Sequence, residues 1–172
     1  MSQKSQSGPE PALLRFPPVK SFVAVATDFV RVYCAAVAPD ADTLSRIALV
    51  AHELAENVVK YSAGGMCTME VSIRVPETAG SAIELSLTTS NAATPEQLDK
   101  AKNYLERLEK AENAERFYDQ CIADSATRAV GSGLGLARIR AEGLMQISHQ
   151  VSDRHIRVNA RALLEDRDEE AK

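Results

Sequence analysis

The segments MCTMEVSIRV (66–75) and SAIELSLTT (81–89) constrain this chain more than any others. In the first, Cys67, Met69, Val71, Ile73 and Val75 alternate with polar neighbours; in the second, Ile83, Leu85 and Leu87 alternate with Glu84, Ser86 and Thr88. A period of two marks a strand with one buried face, because successive side chains point to opposite sides. Joined through PETAG, the two read as a hairpin whose apolar face needs a covering layer and whose polar face does not. The cover has to come from the flanking segments, and those carry a helical period.

From Val19 to Val37, the residues Phe22, Val25, Ala26, Phe29, Val32 and Tyr33 recur at helical spacing. Pro39-Asp40-Ala41-Asp42 interrupts the pattern. Asp42 is the expected N-cap of a second helix over 43–61, which stops at Ala63-Gly64-Gly65. Residues 94–111 are helical through Leu98, Ala101, Leu105 and Leu108, and 113–127 form either a further helix or a mobile segment anchored by Phe117, Cys121 and Ile122. ALLRF (12–16), LMQISHQV (144–151) and RHIRVNA (154–160) supply three more strands, and a helix from Leu134 to Ala141 precedes the last two. The order predicts an α+β two-layer sandwich, with helices on one face of a mostly antiparallel, mixed sheet. A single domain over 11–163 is expected, between a loose tail of residues 1–10 and an acidic tail of 164–172.

Composition narrows the function classes. A net charge of −4 argues against general nucleic-acid affinity. No apolar run approaches membrane-span length, and the polar start MSQKSQSGPEP is unlike a signal peptide. Cys34, Cys67 and Cys121 stand singly, which suits free packing thiols in a reducing cytoplasm. His149 and His155 have no partners at metal-ligand spacing, so a zinc site is not expected. Arg138, Arg140, Arg154, Arg157 and Arg161 form either a partner-facing surface or a solvated face.

HELAENVVKYS (52–62) begins like a zinc-protease helix but has Glu56 where the second histidine is needed. On a helical wheel Ile47, Ala48, Ala51, Leu54, Ala55 and Val58 share one arc, with Glu53, Asn57 and Lys60 along its border and His52 and Glu56 on the far face. A carboxylate, an amide oxygen and an ammonium in one strip suit positioning of water or a hydroxyl, a Mg²⁺ ion and a phosphate, respectively. The same strip also reads as boundary polars of an amphipathic helix. Further along, AVGSGLGLA places Gly131, Gly133 and Gly135 at the start of a helix, where bare amides favour an anion. No lysine follows as a Walker loop requires, and the preceding CIADSATRA is too polar for the central strand of a dinucleotide fold. A phosphate loop and a hinge remain as readings.

The helix motif, the hairpin, the glycine loop and the closing strand pair, in that order, resemble the GHKL (Bergerat-fold) ATPase superfamily over about residues 12–160. Within it, the small anti-sigma-factor serine/threonine kinases are most similar. The resemblance implies Glu53 as general base or water positioner, Asn57 as Mg²⁺ ligand and Lys60 near the phosphates. It implies ATP held by Gly131, Gly133 and Gly135, with Ser132 and Leu134 between them, beneath a lid of 112–130. It also implies an anti-anti-sigma-like protein or a sigma factor as partner, and a homodimer formed through the first helices.

One departure matters. The family reads adenine with an Asp-x-Gly-x-Gly box after the hairpin's second strand, but SLTTSNAATPEQ has neither Asp nor Gly. Asn91 is the nearest substitute, and Arg154-His155 stands where a Gly-Thr pair is usual. Two main functions follow: a Mg-nucleotide-dependent kinase with altered base reading, or a GHKL-fold module that docks to a partner without ATP. A third, an unrelated α/β domain with chance motifs, carries less of the pattern.

Overall fold

A computed structural model describes residues 10–76, 78, 81–125 and 133–165. The chain opens with β1 (Ala12–Phe16), and Pro17-Pro18 then end the strand by removing two backbone donors. Helix α1 (Ser21–Cys34) buries Val23, Ala26, Val30 and Cys34 at helical spacing. Helix α2 (Ala41–Lys60) buries Ile47, Ala51, Leu54, Ala55 and Val58 of the arc drawn from its sequence and adds Val50, while Ala48 is only partly buried.

The cap of α2 differs from expectation. Asp40, not Asp42, is the N-cap: its backbone is extended and its carboxylate accepts the Thr43 amide at 2.6 Å. Asp42 lies inside the first turn, where its charge complements the helix dipole without reaching an amide of its own. With two aspartates before one apolar run, the geometry favours the earlier one because only an extended residue lets its side chain fold back over the helix start.

The hairpin is β2 (Cys67–Arg74) and β3 (Ile83–Ala92), paired antiparallel with Val71 opposite Leu87. Val75 lies beyond the paired strand and is exposed, contrary to the alternation. At its other end β3 runs further than expected and takes in Asn91. Helix α3 (Pro95–Lys110) opens with a reciprocal Thr94/Gln97 capping box and Pro95 in its first turn. Of the two alternatives for the following segment, it is helix α4 (Ala114–Ser125), which buries Phe117 and Cys121 but leaves Ile122 exposed. Helix α5 (Leu134–Ala141) leads to β4 (Gln146–Ser152) and β5 (His155–Leu164). β4 starts later than its apolar residues suggest, because Leu144 takes a positive φ of 55° and breaks the extended run.

The strands form one sheet in the order β1-β2-β3-β5-β4. Every pairing among them is antiparallel, so the expected parallel admixture is absent from the described strands. One face carries Met69, Val71, Leu85, Leu87, Val158 and Ala160 into a core completed by α1, α2, α3 and α5. The other face is polar and uncovered. There Asn159 donates to the hydroxyls of Ser86 and Thr88, while Arg157 pairs with Glu70 at 2.9 Å and Arg161 with Glu84 at 3.0 Å. Cross-strand pairs of this kind satisfy a solvated face without a second layer. The result is the two-layer α+β sandwich expected.

All three cysteines are free and buried. Burial pushes the Cys34 thiol up to about 12 and also raises that of Cys67, so these sulfurs are packing groups.

Replacing Asp40 by Ala removes the α2 cap and is expected to lower stability by about 1 kcal/mol in urea unfolding, whereas Asp42→Ala should change it by less than about half that. Equal losses at both positions would contradict the assignment of the cap.

Candidate functional site

The site is built where α5 meets α2. Along α2 the buried arc fixes the helix rotation, leaving Glu53 and Asn57 half-buried on its flank and His52 and Glu56 exposed. Asn57 Nδ2 donates to the Glu53 carbonyl at 2.7 Å. That bond sets the amide's orientation, and Asn57 Oδ1 has no hydrogen bond among the described residues. Lys60 is not drawn into the pair. It is exposed, with its ammonium 5.2 Å from the centre of the Tyr61 ring.

The glycine motif reaches this pair through backbone. Gly133 caps α5 with a φ of 62°, and a Cβ there would lie 2.9 Å from the Tyr104 ring. Tyr104 also donates its hydroxyl to the Gly133 carbonyl and packs edge-on against Phe117 at 6.1 Å. Burial raises the Tyr104 phenol, which stays a protonated donor. α3 and α4 thus pin the entry to α5. Two residues on, a Cβ at Gly135 would come within 2.4 Å of Glu53 Oε2 and 3.4 Å of Asn57 Nδ2. With no side chain at 135, the first turn of α5 approaches the carboxylate and amide without displacing either. Leu134 is half-buried against the core between them. Gly131 and Ser132 lie outside the described residues, as does the end of the expected lid.

Arg138 completes the cluster. Its Nη1 donates to Glu53 Oε1 at 3.3 Å and its Nε to Glu142 Oε2 at 2.7 Å. The Glu142 leg is an exposed i,i+4 pair worth about 0.3–0.5 kcal/mol. The Glu53 leg is the more consequential one, because that side chain is only 12% exposed. Tyr118 of α4 adjoins the pair: burial first, and then Glu142, raise its phenol. The sequence reading grouped Arg138 with surface arginines. The missed signal was its i+3 relation to Gly135, which puts both on one side of α5.

The remaining basic residues separate from this cluster. Arg140 caps the end of α3 through the carbonyls of Leu108 and Ala111. Arg157 and Arg161 belong to the ion pairs of the open sheet face, and Arg154 turns the β4–β5 hairpin. His149 binds Glu109 at 2.5 Å, tying β4 to α3. Asn91 is 3% exposed within β3, and its Nδ2 donates to the carbonyls of Tyr61 at 3.1 Å and Ala92 at 2.9 Å. Its amide hydrogens therefore fasten the end of α2 to the sheet.

The residues fit a phosphate-bound hard cation in part. A carboxylate and an amide oxygen one turn apart are suitable donors, and α5 supplies uncapped amides beside them. No cluster of three His, Cys, Asp or Glu side chains able to hold a metal occurs among the described residues. A Mg²⁺ ion here would thus rely on phosphate and water for most of its ligands. A shallow depression of about 430 Å³ lies elsewhere, on the open sheet face, lined by Glu70, Ser86, Thr88, Arg157 and Asn159 among others.

No family model matches the chain. No curated protein matches it either. Among solved structures, it is similar to a chain in the crystal structure of the SiaB-SiaC complex from Pseudomonas aeruginosa, with a TM-score of 0.56 and 16% identity. The match covers 88% of this chain and 89% of that one. Likeness at that level shows a shared fold over nearly the whole length. Among the described residues, no helix is long and apolar enough to cross a membrane.

Gly133→Ala is expected to lower stability by about 1–3 kcal/mol in urea unfolding, through both its backbone conformation and the Tyr104 contact. Gly65→Ala, also at positive φ but with no atom within 4 Å, should lose less. A Gly133 variant as stable as the wild type would remove Tyr104 from its role in holding the loop.

Proposed function

We propose that this protein is a signalling regulator of the anti-sigma-factor serine/threonine kinase type, which binds the phosphates of Mg-ATP between α2 and α5 and phosphorylates or sequesters a partner protein. The observation that carries the reading is the contact of Gly135 with Glu53 and Asn57, two motifs far apart in sequence and touching in space. The fold shared with a chain of a two-protein complex supports action on a partner. An anti-anti-sigma-like protein or a sigma factor is the class of partner proposed, in a cytoplasmic setting. A homodimer is proposed through α1, whose Val25, Val32 and Tyr33 are exposed.

In this reading Asn57 would help hold Mg²⁺, which would supply neutralisation of phosphate charge. The amides of Gly133, Leu134 and Gly135 would face the phosphates, Gly131 and Ser132 are assigned to the same group by the sequence motif alone, and Lys60 serves only if it leaves Tyr61. Glu53 accepts the proton of a partner serine or threonine hydroxyl as its oxygen bonds to the terminal phosphorus and ADP departs. Positioning and charge neutralisation account for most of such a rate.

One observation favours the second reading, a docking module that works without ATP. The Asn91 amide hydrogens are held by backbone carbonyls, and no aspartate stands beside them to read adenine. The readings separate by calorimetric titration with ATP, ADP and GTP, with and without Mg²⁺. Saturable Mg²⁺-dependent heat, weakened about tenfold or more by Asn57→Ala, is expected. Transfer of labelled phosphate to a co-purified partner should then vanish in Glu53→Gln. No heat with any nucleotide would leave the docking module.

A further inference from the structure

We infer that Arg138 is an exchange residue that regulates Glu53: without nucleotide its guanidinium holds the Glu53 carboxylate, and with Mg-nucleotide bound it moves to a phosphate and releases that carboxylate. The inference rests on the phosphate-site reading above and adds control of the same group.

Four features of the cluster support it. Glu53 is largely buried, yet one of its oxygens is already engaged by Arg138, so that lone pair is withheld from a partner hydroxyl. Arg138 reaches Glu53 with Nη1 alone, while Nε is anchored on Glu142. The Glu142 leg is an exposed pair, and at 41% exposure the planar head group has room to swing away from Glu53 as one unit. The same α5 backbone that brings Gly135 onto Glu53 carries Arg138 three residues further on, on the same side of the helix as Gly135. Finally, a planar guanidinium prefers the paired oxygens of a phosphate, and a polyphosphate outweighs one carboxylate in charge.

The exchange has a functional consequence. The Glu53 oxygen held by Arg138 is given up when phosphate takes the guanidinium, so the full carboxylate is released together with the arrival of the group to be transferred. Tyr118 rests against Glu142, so the anchored leg of Arg138 is also packed against α4.

Calorimetric titration of Mg-ATP into the full chain tests this with the wild type, Arg138→Ala, Glu53→Gln and the double variant, each checked for folding by thermal melting. Arg138→Ala should weaken binding about tenfold. Glu53→Gln should tighten it about tenfold when Arg138 is present, because the competitor is gone, and by no more than about threefold in the Arg138→Ala background, where only charge repulsion is relieved. If Arg138→Ala fails to fold, Arg138→Gln keeps an unbranched polar side chain without the charge and should show the same weakening. An affinity unchanged by loss of Arg138, or an equal gain from Glu53→Gln in both backgrounds, overturns the exchange while the phosphate site stands. A wild type that binds no Mg-ATP overturns both.

Discussion

The approach of α5 to α2 at Gly135 is the contact on which the rest of the site depends. Each helix alone is ordinary: α2 is an amphipathic helix with polar residues on its flank, and α5 is a short helix opened by glycine. Brought together without a Cβ between them, they set the first turn of α5 beside the Glu53 carboxylate and the Asn57 amide and bring the Arg138 guanidinium into bonding distance of Glu53. A Cβ at 135 would meet the Glu53 oxygen, so a larger residue there has to displace that side chain, whereas the backbone conformation does not itself call for glycine.

Keeping that contact in place is the work of the surrounding layer. α2 is held by its buried arc, by its Asp40 cap and, at its far end, by Asn91 fastening Tyr61 to β3. α5 is held at its entry by Tyr104 and along its length by Arg140, which also closes the end of α3. The polar residues that sequence analysis left unassigned thus divide into those that build the frame and those at the junction. Arg140 and His149 belong to the frame, while Arg138 belongs to the junction. The uncovered sheet face takes no part in this, because its charges satisfy one another across strands.

Much of the fold was legible in the sequence because the elements obey simple periods. The hairpin's alternation and the α2 wheel identified buried faces that the structure retains, from Met69 and Leu87 to Leu54 and Val58. Where the reading missed, tertiary geometry decided. Asp40 and Asp42 are equivalent caps by composition, and only the backbone angle distinguishes them. Asn91 looked like a loop residue because polar SNAA ends the strand, but pairing with Ile156 carries β3 through it. The candidate pair Glu53 and Asn57 was visible as a strip on one helix, whereas its tie to Arg138 spans 85 residues and follows from no local pattern.

The central claim is that the α2–α5 junction receives the phosphates of a Mg-nucleotide. Backbone and side-chain amide resonances followed through a Mg-ATP titration test it at residue level. The account predicts saturating shifts at Gly133 to Leu136 and at the Asn57 side-chain amide, while Asn159 on the open sheet face stays unmoved. Shifts confined to the surroundings of Asn159, or none at the junction at saturating Mg-ATP, would contradict it.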